Sequence, residues 1–250
     1  MTSSPLNTAM VLAAGLGTRM RPITNTRPKP LVMVAGKTLL DRALDTLAEG
    51  GIERAFVNVH YLADQIEHHL QGRAEPAITI SDERRELLDS GGGVNLALAG
   101  QPDGPVMILN SDSFWIDGQD NNIRRLKSAW DPDQMDMMLL VSHPEQSIGF
   151  DGAGDFFMDA QHKLTRRGKA ESAPYIYAGA IVTTVGFLRS VQKAKFSLNQ
   201  LFDAAIAEKR LYGCVLDGLW LHVGTPASIE EAEQAIEHYA RNRPPSPSHP

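Results

Sequence analysis

Two glycines and four cationic side chains crowd the stretch from Leu12 to Lys29. It reads Leu-Ala-Ala-Gly-Leu-Gly-Thr-Arg-Met-Arg-Pro and, a few residues on, Arg-Pro-Lys-Pro. Gly15 and Gly17 let the backbone approach a ligand closely and present N–H groups as anion donors. Arg19, Arg21 and Lys29 add full positive charge beside them, with the forked and point-charge geometries that suit phosphate oxygens. The apolar run Ala9–Leu12 precedes the glycines, so they fall where a first strand turns toward a helix. This combination predicts a cradle for a triphosphate.

Two commoner phosphate motifs do not fit. A dinucleotide fingerprint needs a third glycine where Met20 stands and an acidic residue roughly 20 positions on, near Ala35, where there is none. Gly36-Lys37-Thr38 ends like a P-loop, but the motif's first glycine would coincide with Leu31. Against the cradle stands the plain reading that a glycine-rich turn after a strand is ordinary in any α/β protein. The cations and the proline frame of Pro28-Lys29-Pro30 weigh against it. Further along, the apolar strand Val106–Leu109 breaks into Asn110-Ser111-Asp112. Asp112 reads either as a turn or cap residue or as the hard oxygen donor that Mg²⁺ needs beside substrate phosphates. The triplet Gly91-Gly92-Gly93 precedes an apolar helical pattern, which predicts a second set of backbone N–H groups aimed into the site or simply a permissive turn.

These residues together resemble the signature of the sugar-1-phosphate nucleotidyltransferases, which join a nucleoside triphosphate to a sugar phosphate and release pyrophosphate. The similarity runs from about Met10 to Tyr239. Within that family the chain is similar to bacterial uridylyltransferases that act on N-acetylmuramate 1-phosphate in peptidoglycan recycling. The nearer likeness rests on Ala13-Ala14-Gly15, Asp89-Ser90-Gly91-Gly92-Gly93, Leu109-Asn110-Ser111-Asp112, Phe196-Ser197-Leu198-Asn199 and the run Gly218–Pro226. The resemblance implies nucleotide contacts from Ala13, Ala14, Gly15, Gly17, Thr18, Arg19, Lys29, Gly91 and Gly92. It implies catalytic roles for Arg19, Lys29 and Asp112, with Asp112 holding the metal, Mg²⁺ or alternatively Mn²⁺. Asn110, Tyr177, Gly179 and Asn199 are candidates for the sugar. Arg166 and Arg167, in an expected hairpin, read either as sugar-phosphate contacts or as a solvated surface pair. A guanylyltransferase for mannose or heptose 1-phosphate is the alternative within the class, and a non-catalytic nucleotide-sugar sensor is the alternative outside it.

The chemistry asks little beyond positioning. The attacking sugar-phosphate oxygen arrives ionised, so in-line placement and neutralisation of two polyanions carry the reaction. Arg19 suits the β- and γ-phosphates and Lys29 the α-phosphate. One position departs from the family. Its usual second metal aspartate, in a Trp-x-Asp-x-Gly-Thr-Pro run, is here His222 of Trp220-Leu221-His222-Val223-Gly224-Thr225-Pro226. Imidazole is a softer donor that suits Mn²⁺ better than Mg²⁺. His222 is therefore a second metal-ligand candidate, with action through water, a phosphate contact or a plain strand role left open.

The elements that must hold these residues are legible as alternation. Strand patterns at Ala9–Leu12, Arg54–Val59, Ala77–Ser81, Val106–Leu109 and Met135–Val141 are separated by helical spacings such as Leu40, Leu44 and Leu47 or Leu62, Ile66 and Leu70. The expected fold is α/β, a Rossmann-like and mainly parallel sheet with helices on both faces and a smaller sugar-binding β elaboration. Ligands in such sheets bind beyond the carboxyl ends of the strands. Hairpins are expected over 150–168, a strand over Tyr175–Thr184 and helical pieces near 187–193 and 198–208. Late strands follow at Leu211–Leu216 and Leu219–Val223, with a closing helix over Pro226–Tyr239. Residues 1–241 read as a single domain, with 8–141 the nucleotide half and 142–241 the sugar-phosphate half, and 242–250 as a proline-rich disordered tail. At 250 residues and 42% hydrophobic, the chain can bury one large core. A net charge of −6 offers no basic field to nucleic acid or an anionic membrane, so the anionic substrates must be caught by local cations. A single cysteine excludes an internal disulfide. With no signal-peptide pattern and no membrane-length apolar run, a cytoplasmic monomer or homodimer is expected.

Overall fold

Strand and helix alternate through most of the chain. The computed structural model describes residues 5–242. In chain order the elements are β1 (Thr8–Leu12), β2 (Met33–Val34), β3 (Lys37–Thr38), α1 (Leu39–Glu49), β4 (Arg54–Val59), α2 (Ala63–Leu70), β5 (Ala77–Asp82), α3 (Asp89–Ala97) and β6 (Pro105–Asn110). Then come β7 (Ser113–Asp117), α4 (Asn122–Ala129), β8 (Met137–Ser142), β9 (Ser147–Ile148), β10 (Phe156–Met158), β11 (Leu164–Arg166) and β12 (Ile176–Thr184). The last are α5 (Val185–Leu188), α6 (Asn199–Ala207), β13 (Leu211–Val215), β14 (Gly218–His222) and α7 (Ala227–Asn242). Of the expected tail, Asn242 ends α7 and residues 243–250 lie outside the described residues.

Seven strands form the central sheet in the order β13-β8-β12-β6-β1-β4-β5. All neighbours are parallel except β12, which runs antiparallel to both β6 and β8. The period of two sorts the strands' side chains onto two cores. Ala9, Val11, Met107, Leu109, Met138 and Leu140 meet α1, α2 and α4 through Leu40, Leu44, Ile66 and Leu126. Met10, Val106, Ile108, Met137 and Leu139 meet α3, α5 and α6 through Val94, Leu188 and Leu201 on the opposite face. Helices therefore cover both faces, as the alternation predicts. A three-stranded sheet, β7-β14-β9, carries α7 over a third apolar cluster built on Met20, Val32, Phe114 and Leu221.

The chain runs from β1 outward through β4 to β5 and then returns to place β6 on the other side of β1. That reversal opens a crevice beyond the carboxyl ends of β1 and β6, where Leu12 pairs with Asn110. The expected cradle and Asp112 both lie there.

Some elements differ from expectation. The triplet Gly91–Gly93 lies inside α3 and does not precede it. Three glycines disfavour a helix by about 1 kcal/mol each relative to alanine, yet packing leaves no room for side chains. A Cβ on Gly91 would fall 2.3 Å from the Phe196 ring, one on Gly92 2.2 Å from the Ala194 carbonyl and one on Gly93 2.4 Å from Glu83. The helix near 187–193 is shorter, Val185–Leu188. Helix α4 and strand β7 have no counterpart among the expected elements. Gly36, tested against the P-loop, forms a tight turn with Ala35, both at positive φ, joining β2 to β3.

Candidate active site

The loop after β1 is shaped by one obligatory glycine. Gly17 adopts φ 62°, and a Cβ there would sit 3.0 Å from both Lys29 Cβ and Thr24 Cγ2. Thr24 Oγ1 donates to the Gly17 carbonyl at 2.8 Å, folding the loop back on itself. A Cβ on Gly15, by contrast, would meet nothing within 4 Å, so the space over that backbone is open to a ligand. Thr18 and Arg19 follow in an exposed single helical turn. The second turn, Lys29–Leu31, starts after Pro28 and carries Pro30 inside it, and these prolines fix the backbone that launches Lys29.

Lys29 Nζ reaches Asp112 Oδ2 at 2.9 Å, and the lysine side chain is only 12% exposed. Asp112 sits in the short link between β6 and β7. Ser111 fixes that link by donating from Oγ to the Leu12 carbonyl at 2.7 Å, and Val223 N–H donates to the Asp112 carbonyl at 2.9 Å. Strand β14 pairs His222 with Ser113, which brings the imidazole beside Asp112. Arg19 completes the group, for a Cβ on Gly224 would lie 2.7 Å from His222 Nε2 and 3.5 Å from Arg19 Nη1. Burial acts to raise the Asp112 carboxyl, but Lys29, His222 and Arg19 outweigh it and hold the group below its ordinary value. His222 moves down. Desolvation is the largest cause, opposed by Asp112 and helped by Lys29 and Arg19, so the balance is shifted toward the neutral imidazole.

A cleft of about 300 Å³ opens along this rim, lined by Ala13, Ala14, Gly15, Lys29, Asp89, Asn110 and Asp112 among others. A second hollow of about 410 Å³ holds Arg19, Phe150, His222 and Glu231. The structure thus brings together Ala13, Ala14, Gly15, Lys29, Asn110 and Asp112, with Arg19 and His222 adjoining. Gly179, at φ 87°, lies against Asn110 and Ser113 because a side chain there would strike Ser113 Oγ. Tyr177 packs edge-on against Phe202 with ring centroids 5.6 Å apart. Its hydroxyl is buried without a hydrogen-bond partner, and burial first, Asp112 second, push it above the ordinary phenol range.

Other expected residues are occupied elsewhere. The N–H groups of Gly91 and Gly92 donate to the Phe196 carbonyl at 2.9 and 3.2 Å, so they are not aimed at a ligand as the triplet suggested. Asn199 is held by Arg166, which donates to its Oδ1 at 2.8 Å. Arg166 also pairs with Asp203 at 2.9 Å and lies over the rings of Phe156 and Phe202. Arg167 donates to the carbonyls of Gly154 and Ala170. Both arginines serve the β10–β11 region, because a guanidinium satisfied by carboxylate, carbonyl and ring faces is a structural clamp.

Sequence reasoning missed Asn58 and Glu83, both buried at the same rim. Their signal was positional. Each is a polar residue at or just past the carboxyl end of a predicted strand, where ligand-facing groups gather.

Among the described residues, no group of three or more His, Cys, Asp or Glu side chains is arranged to hold a metal. Asp112 and His222 are two neighbouring donors that would need substrate phosphates and water to complete a cation's coordination. An ionised carboxylate beside a neutral imidazole is a suitable donor pair. No helix among the described residues is long and apolar enough to cross a membrane.

Comparison with known proteins identifies the family. The sequence model of the family described as "Nucleotidyl transferase" matches residues 8–150. N-acetylmuramate alpha-1-phosphate uridylyltransferase of Caulobacter vibrioides is 43% identical over 91% of this chain and 96% of its own. The protein of the same name from Neisseria meningitidis serogroup B is 30% identical over 90% of this chain and 96% of its own. The solved structure of the inositol-1-phosphate CTP transferase from T. maritima superposes with a TM-score of 0.73, at 20% identity, over 94% of this chain and 98% of that one, a likeness of fold. Sheet, switch-point crevice and sequence match converge on one conclusion: the chain belongs to the nucleotidyl transferase family.

Proposed function

We propose that this protein transfers a uridylyl group from UTP to N-acetylmuramic acid 1-phosphate, giving the UDP-sugar and pyrophosphate, as a cytoplasmic enzyme of peptidoglycan recycling. The observation that carries the reaction class is the Lys29–Asp112 pair at 2.9 Å, set at the switch point with Arg19 and His222 beside it. A site that only bound a nucleotide would need cations. A carboxylate kept ionised among them suits a phosphoryl-transfer centre that also holds a divalent metal. The identity of the base and sugar is supported by the 43% match over nearly the whole chain.

In this reading residues 8–141 form the nucleotide half and 142–241 the sugar-phosphate half. The backbone from Ala13 to Thr18 receives the triphosphate, and Arg19 forks onto its outer phosphates. An oxygen of the sugar phosphate attacks the α-phosphorus. One P–O bond forms there while the bond to the bridging oxygen breaks, and pyrophosphate leaves with its charge. The nucleophile needs no general base. Lys29, rigid between its prolines, places one positive charge where the α-phosphate gains negative charge in the transition state. Asp112 and His222 would hold a divalent metal, which would supply neutralisation of phosphate charge. Asn110, Gly179 and the ring of Tyr177 border the sugar, with Gly179 letting the backbone pack closely against Ser113 and Asn110.

Pyrophosphate release measured across four nucleoside triphosphates and several sugar 1-phosphates tests the proposal. Turnover should be fastest with UTP and N-acetylmuramate 1-phosphate. A clear preference for GTP with mannose or heptose 1-phosphate would replace it by the guanylyltransferase reading. No turnover with any pair would favour a sensor.

A further inference from the structure

A buried hydrogen-bond relay ties together the two walls of the nucleotide cleft. The Ala13 N–H, on the loop after β1, donates to Asn58 Oδ1 at 2.7 Å. Asn58 Nδ2 donates to Glu83 Oε1 at 2.6 Å, and the other carboxylate oxygen, Oε2, accepts from the Leu88 N–H at 3.0 Å. Ala13 and, from the other chain segment, Leu87, Asp89 and Ser90 all line the cleft. Asn58 is 3% exposed and Glu83 2%, so no solvent competes for these bonds. A carboxylate buried this deeply is costly unless its oxygens are satisfied, and here two N–H donors satisfy it. The glycine triplet also finds a use. A Cβ on Gly93 would stand 2.4 Å from Glu83 Oε1 and 2.8 Å from Asn58 Nδ2, so the third glycine admits the relay.

The direction of every bond is set by its ends. Ala13 and Leu88 each present a backbone donor, so the relay needs an acceptor at both termini. An amide at 58 joined to a carboxylate at 83, or the reverse, meets that demand without a proton shared between two carboxyls. We infer that Glu83, acting through Asn58, is a positioning residue for the nucleotide, holding the Ala13 backbone at a fixed distance from the Leu88–Ser90 wall. The inference rests on the proposed reaction only in taking this cleft as the nucleotide site.

A rescue experiment tests it. Glu83→Gln keeps the volume but turns one acceptor into a donor, so a donor–donor conflict arises at Asn58 or at Leu88. Asn58→Asp sets two carboxylates against each other. The double variant Asn58→Asp with Glu83→Gln restores an acceptor at each end and a matched pair between. Dissociation constants for UTP, GTP, CTP and ATP are measured by calorimetry on the full chain, with melting temperatures alongside. Each single variant should weaken UTP binding about tenfold, the order of one charge-assisted hydrogen bond, and the double variant should recover to within about threefold of wild type. Single variants that bind UTP like wild type would overturn the relay alone. So would a double variant that regains its melting temperature without regaining affinity, for then the relay is purely structural. A wild-type protein that binds none of the four triphosphates would overturn both the relay and the proposed reaction.

Discussion

Replacing Asp112 by Asn separates chemistry from folding at the one residue where both are concentrated. The substitution changes almost no volume and leaves an oxygen near Lys29 Nζ, now 2.9 Å from Asp112 Oδ2. The Asp112 side chain is 30% exposed, and ion pairs with that much solvent contribute at most about 1 kcal/mol to stability. The melting temperature should therefore fall by no more than about 2–4 °C, the scale for a chain of this size. The effect on turnover is much larger. Loss of a charge-assisted partner for Lys29 removes about 1.5–3 kcal/mol, and loss of an anionic metal ligand removes several more. A combined loss of about 4 kcal/mol corresponds to roughly a thousandfold slower kcat. Pyrophosphate release at saturating substrates, together with a thermal melt, provides both numbers. Residual activity above about a tenth of wild type, a barrier change of only ~1.4 kcal/mol, would refute the role given to Asp112. A melting temperature lowered by more than about 10 °C would refute the separation of chemistry from folding.

Gly92→Ala places a methyl group 2.2 Å from the Ala194 carbonyl, so chemical denaturation should show about 1–3 kcal/mol of lost stability. Gly15→Ala meets no atom and should leave stability intact while weakening triphosphate binding. His222→Asp should lower the Mg²⁺ concentration needed for half-maximal turnover if His222 is a direct ligand; unchanged metal dependence with a lower melting temperature would assign it a strand role. Burial is the largest single influence on Asp45 and acts to raise it, but Lys37 and Arg73 together outweigh it and hold the carboxyl below its ordinary value. A depressed folded value means stability that is present above the unfolded value of about 3.9 and is lost as pH falls through the folded one. Asp45→Asn should therefore cost at most about 1 kcal/mol at neutral pH, and the difference should shrink in urea melts as the pH falls below the unfolded value and through the lower folded one.

The sheet and the charged rim were legible because they follow simple periods. Ala9–Leu12 and Val106–Leu109 carry continuous apolar character fitting strands buried on both faces, Arg54–Val59 is apolar but for Arg54 and Asn58, and the loops after the first two hold the glycines, Lys29 and Asp112. Elements fixed by tertiary partners were not legible. Helix α4 offers only Ile123 and Leu126 as buried apolar residues over eight positions, too short a pattern to stand out. Its start depends on Asn121, whose side chain accepts from the Arg124 N–H at 3.0 Å. The glycine triplet misled for a physical reason. Local propensity places glycines outside a helix, whereas Phe196, Ala194 and Glu83 occupy the volumes their side chains would need. Arg166 and Arg167 resembled anion donors because a sequence does not show Asp203 or the Gly154 and Ala170 carbonyls that satisfy them. The converse holds for Asn58 and Glu83, polar residues in apolar surroundings whose partners lie 45 and 25 positions away from Asn58.

The reaction proposed for this rim is attack on the α-phosphorus of a nucleoside triphosphate by a sugar phosphate. Isotopic label followed through a single incubation with N-acetylmuramate 1-phosphate and a divalent metal tests it most directly. With UTP labelled at the α-phosphate, the label should appear in the nucleotide sugar, and with UTP labelled at the γ-phosphate it should appear in pyrophosphate. Gamma label released as inorganic phosphate beside unlinked UDP, or α label that never joins the sugar, would contradict the account.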